Sequence, residues 1–170
     1  MKRWLIALAT VTVALIGIYG TAYVINLPNT PEPTQTVQTQ EKPKPPTVDE
    51  LLRLVNDERA KVGVARLTLD ERLNASAQRK ADEMVAENRF EHTNNAGVHG
   101  YAYAQEVAPE CIYISENYTG AFSSKDAMSR WLDSTPHRLA IQDSRYDITG
   151  IAIQRAPDWY IVVEHFCDLP

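Results

Sequence analysis

The sequence predicts an α+β domain in which helices cover both faces of a small, mainly antiparallel sheet. Two observations carry this. Three stretches between Thr47 and Asp133 repeat apolar residues at helical spacing, each entered through a capping residue. Towards the carboxyl end, residues 148–154 and 159–166 form two apolar runs separated by Ala156-Pro157-Asp158, which reads as a turn between paired strands.

Taken in order, Thr47-Val48-Asp49-Glu50 is a capping box, with Glu50 three residues beyond the cap. Val48, Leu51, Leu52, Val55 and Val62 then share one helical face, which ends near Gly63. A second helix begins near Asp70, buries Leu73, Ala77, Ala81, Met84 and Val85, and runs out near Phe90. Residues 94–105, with Gly97 and Gly100, read as a loop, and residues 112–114 as a short strand delivering Glu116. Ser123 or Ser124 caps a third helix with Asp126 in its first turn and Ala127, Met128, Trp131 and Leu132 inside. Pro136 suits the first turn of a short fourth helix.

The chain has 170 residues, 44% of them hydrophobic, enough for one domain with a real core. Its net charge is −5, and beyond residue 47 there are 13 Lys and Arg against 20 Asp and Glu. An acidic domain without a basic stripe argues against nucleic acid as a partner and against charge-driven docking on anionic lipid. No glycine-rich phosphate loop is present.

Lys2 and Arg3 precede an uncharged run of 22 residues, Trp4 to Ile25, long enough to cross a bilayer as a helix with the rest of the chain outside. The alternative is a signal peptide cleaved after Ala22. Either way the domain is exported. Residues 27–46, with six prolines among Thr and Gln, read as an extended linker. The expected organisation is therefore an anchor or signal at 1–26, the linker at 27–46 and one domain at 47–170. Cys111 and Cys167 are the only cysteines, and an even count in an exported domain suggests a disulfide.

Three separate pieces carry metal- or proton-binding residues: Phe90-Glu91-His92-Thr93, Ser115-Glu116-Asn117 and Ser134-Thr135-Pro136-His137-Arg138. With Asn56 and Arg59 in the first helix, Trp131 in the third and the final apolar strand, they stand in an order that resembles the CAP superfamily, the cysteine-rich secretory, antigen 5 and pathogenesis-related proteins, and among these the short bacterial members. The resemblance implies a three-layer α-β-α sandwich and an exposed cleft of two histidines and two acids. His92, Glu116 and His137 match three of those four positions; the fourth, three residues after Trp131, is Ser134.

A metal held by two imidazoles and one carboxylate keeps open positions, binds weakly with one acid missing, and is of the zinc rather than the calcium type. No cofactor is required by this reading. Arg59 is expected to meet a buried acid or carbonyl, Asn117 to tie a turn to its own backbone, and Trp131 to be core. His99 is expected to be solvated and His165 to be a satisfied core or edge histidine, the alternative being a fifth cleft residue. Tyr101, Tyr103, Tyr113 and Tyr118 are expected near Glu116, lining a groove or simply packing.

Two functions compete: a surface-tethered, non-enzymatic domain that binds a lipid, an envelope component or a protein, and a metal-assisted hydrolase acting on peptides, with Glu116 as general base. Binding is favoured, because there is no H-E-x-x-H helix and no G-x-S-x-G elbow.

Overall fold

The structure, a computed structural model, describes residues 43–170. The expected anchor or signal at 1–26 and most of the expected linker lie outside the described residues. Among the described residues no helix is long and apolar enough to cross a membrane. The elements are α1 (Val48–Lys61), β1 (Thr68–Leu69), α2 (Glu71–Ala86), α3 (Tyr101–Val107), β2 (Tyr113–Ala121), α4 (Ser124–Asp133), α5 (Thr135–Gln142), β3 (Ile148–Arg155) and β4 (Tyr160–Asp168).

The four strands lie in the order β1-β3-β4-β2. Only the short β1–β3 pairing is parallel. The long ladders β3–β4 and β2–β4 are antiparallel, so β2 is an edge strand. Side chains alternate across β4 as a strand requires. Val162 and Phe166 face a core built with Leu51 and Val55 of α1, Met128 and Trp131 of α4, and Ile141 of α5. Ile161 and Val163 face Ala77, Ala81 and Met84 of α2, and Cys167 faces Leu73 and Ala104. Helices therefore cover both faces of a mainly antiparallel sheet.

The caps act where the sequence places them. Thr47 Oγ1 accepts from Glu50 N, Asp70 Oδ1 from Arg72 N and Leu73 N, and Ser123 Oγ from Asp126 N. The start of α2 presses on β3 at Gly150, where a Cβ would run into the backbone of Leu73 and Asn74. Asn74 Oδ1 accepts from Ile151 N at 2.8 Å and pins that approach. The disulfide Cys111–Cys167 ties the entry of β2 to the end of β4. On a loop-closure estimate, a bond across 56 residues contributes about 4 kcal/mol.

Several expectations need correction. The 94–105 segment is not all loop, since α3 begins at Tyr101 and buries Tyr103 and Ala104. The strand holding Glu116 is nine residues long rather than a short lead-in. Val62 lies beyond the last turn of α1 and is exposed, while Asn56 and Arg59 are buried on that helix. Asn56 clasps the backbone of Leu67, donating from Nδ2 to its carbonyl and accepting its N–H. Arg59 donates to the carbonyls of Ala65, Ile141, Asp143 and Tyr146, which joins α1 to the α5–β3 connection. Trp131 is fully buried in the core.

Candidate binding site

The site forms around Glu116 on the edge strand. Even-numbered residues of β2 face α2, and Glu116 pairs directly across from His165 of β4. Glu116 Oε2 lies 3.0 Å from His165 Nε2, and Oε1 lies 2.7 Å from His92 Nδ1. The carboxylate is 3% exposed and His92 is 48% exposed, so a buried acid holds a surface imidazole by one nitrogen and leaves Nε2 free to meet a ligand. His165 is fully buried, and its Nδ1 lies 2.8 Å from Ser76 Oγ of α2.

His92 is placed by a tight hairpin after α2. Gly100 N donates to His92 O, and Asn94 N to Val98 O. Asn94 Oδ1 accepts from Ala96 N and Val98 N, while its Nδ2 donates to Glu83 and to the Tyr103 hydroxyl. Gly100 is required by contact: a Cβ there would land on Glu116 Oε2.

His137 reaches the site from the opposite face of the sheet, around the β2 edge. It sits in the first turn of α5, and its carbonyl accepts from Asn117 Nδ2 at 3.0 Å. Asn117 thus holds α5 rather than a turn of its own backbone. The His92 and His137 rings are 6.3 Å apart between centroids, and Tyr118 stands beside both, at 4.7 and 6.5 Å. The Tyr118 hydroxyl donates to Phe90 O.

Burial, and secondly the nearby His92 charge, lowers the pKa of His137. Burial alone would raise that of Glu116, but hydrogen bonds from His165 and His92, with their charges, outweigh it and hold the carboxyl below its ordinary range.

His92, Glu116 and His137 thus meet at one place, but not as the expected three-ligand set. Both Glu116 oxygens are engaged by imidazoles, and among the described residues no group of three or more His, Cys, Asp or Glu side chains is arranged to hold a metal. Glu116 orients His92 from behind. Ser134 lies between α4 and α5, half-buried. His99 is exposed and stacks on Tyr101.

The expected tyrosine cluster does not form. Of the four, Tyr118 stands beside His92 and His137, while Tyr101 stacks on His99, Tyr103 bonds to Glu83 and Tyr113 lies under Arg145. His165 is the satisfied core histidine expected on the β4 face of Ile161 and Val163; its pairing with Glu116, directly across in register, is what the sequence alone does not show.

A buried carboxylate thus holds an exposed histidine at the edge of a helix-covered sheet. Residues 52–166 match the sequence profile of the cysteine-rich secretory protein family, CAP, and the chain belongs to that family. An uncharacterised protein of Bacillus subtilis (strain 168), YkwD, is 25% identical over 125 residues, covering 73% of this chain and 49% of that protein. This chain therefore spans about half the length of that curated relative.

Two bacterial structures share the fold. An outer surface protein of Borrelia burgdorferi has a TM-score of 0.67 at 18% identity, over 72% of this chain and 92% of that one. An extracellular protein containing an SCP domain from Bacillus anthracis has a TM-score of 0.61 at 18% identity, over 71% and 39%.

Proposed function

We propose that this domain is an extracytoplasmic binding module, tethered to the membrane through the apolar run at 4–25, which takes a lipid, cell-envelope or protein ligand at the surface formed by His92, His137 and Tyr118. The observation that supports binding over hydrolysis is the state of Glu116. A general base needs a carboxylate oxygen that can reach water. Here one oxygen is 2.7 Å from His92, the other 3.0 Å from His165, and the group is 3% exposed. Export is supported by the Cys111–Cys167 disulfide, which suits an oxidising compartment. A divalent ion would be held by the two imidazoles alone and weakly, supplying a polarising charge to a ligand's oxygen.

The test compares the parent with His92→Ala and His137→Ala in two assays: cleavage of a mixed peptide library by the full-length chain with and without chelator, and retention of residues 43–170, which lack the apolar run, on liposomes and on isolated cell envelopes. The expected result is no chelator-sensitive cleavage and a loss of retention in both variants. Chelator-sensitive cleavage that disappears with His92→Ala would establish the hydrolase instead.

A further inference from the structure

We propose that the domain carries a second ligand site, for an acidic saccharide, at the end of β2 remote from Glu116. The β2–β4 ladder closes at Ala121 opposite Tyr160, five positions from the Glu116–His165 pair. At the usual strand rise that is roughly 17 Å away. A cavity of about 430 Å³ opens there, within the range of sites for compact organic ligands.

Its walls are flat rings from three residues, Phe122, Trp159 and Tyr160, with Pro43 and Pro45 on the entering segment. Phe122, the residue just after β2, is 52% exposed, although nothing in the core calls for an aromatic there. The Trp159 ring is held in place. It rests on Gly120, where a Cβ would strike it, and against Phe90 at 5.0 Å. The entering segment is also fixed, because Pro46 is buried and Thr47 N donates to Ser124 Oγ. A preformed platform of this kind loses little freedom when a ligand arrives.

The ligand class follows from what accompanies the rings. Lys44, Arg155 and Asp158 also line the cavity. A hydrocarbon ligand would make no use of these three exposed charges. A pyranose ring sets its C–H face on an aromatic ring and turns its hydroxyls to polar side chains, so it uses both kinds of wall. Two cations against one anion make this place locally positive on a domain with 20 acidic and 13 basic residues, and an acidic sugar complements it. Arg155 donates from Nη1 to the Tyr160 hydroxyl at 3.0 Å and forms no ion pair among the described residues, so the rest of its fork is available to a carboxylate.

The experiment is calorimetry on the full-length chain in detergent micelles, with a glucuronate-terminated disaccharide, its neutral counterpart and a proline-rich decapeptide. The acidic disaccharide should bind about tenfold more tightly than the neutral one, the range of one charge-assisted contact. Arg155→Gln, an exposed change that leaves packing intact, should erase that difference. Trp159→Ala should abolish binding of both sugars, and His92→Ala should change neither, which separates this site from the histidine cleft. Equal affinity for the two sugars, binding of the peptide alone, binding of none of the three, or loss in His92→Ala would each overturn the proposal.

Discussion

His165 Nε2 lies 3.0 Å from Glu116 Oε2 at a directly paired position of β2 and β4, and the imidazole is fully buried. The exposed His92 is therefore held by a carboxylate that is itself held from inside the core.

That order of support predicts an order of stability. His165→Ala should cost about 3 kcal/mol, because it leaves a buried carboxylate oxygen without a donor and opens a cavity. His92→Ala should cost under about 1 kcal/mol, since that side chain is half exposed. Urea unfolding of the two variants measures the difference; equal costs would mean that Glu116 does not depend on its buried partner.

Two buried carboxyls should give opposite dependences on pH. Glu116 is held below its ordinary value of 4.5, so its stabilising contribution is present above that pH and is lost as pH falls through the folded value. Glu164 is fully buried, and burial pushes its pKa up to about 8 against the opposing Thr149 hydrogen bond and Arg59 charge. Its contribution is complete below 4.5 and is lost as pH rises towards about 8. Glu116→Gln should flatten the acid limb of the stability profile, and Glu164→Gln the limb between about 4.5 and about 8. Unfolding free energies across a pH series check both, and an unchanged slope in either variant contradicts the assignment for that residue.

Gly100→Ala should damage the site through Glu116 rather than through the backbone, since the new Cβ would meet Oε2 of that carboxylate and crowd Lys80. Overpacking of this kind costs about 1–3 kcal/mol. The loss should be smaller when Glu116 is already alanine, with a coupling of at least about 0.5 kcal/mol in a double-mutant cycle. Strict additivity would place the damage elsewhere.

Much of the scaffold was legible because its signals are local. The capping residues Thr47, Asp70 and Ser123, and the apolar period of α2, mark helices without reference to the rest of the chain. What failed needed tertiary context. Gly97 and Gly100 signal a loop, yet the second of them serves the close approach of Glu116 and is followed at once by α3. The sequence of β2, Tyr113 to Ala121, mixes polar and apolar residues on both faces, so its length could not be read from alternation. Tyr113 and Tyr118 differ in strand parity and turn to opposite faces, which is why the expected tyrosine cluster dissolves. The pairing of His165 with Glu116 required the β2–β4 register, which no single strand reveals.

The most direct test of the account is the tautomer of His92, read from imidazole nitrogen chemical shifts of the full-length chain above the histidine titration range. A carboxylate at 2.7 Å from Nδ1 should keep the neutral ring protonated there and leave Nε2 bare for a ligand, with His99 as the exposed reference. Protonation of His92 at Nε2, or a tautomer mixture matching that of His99, would contradict it.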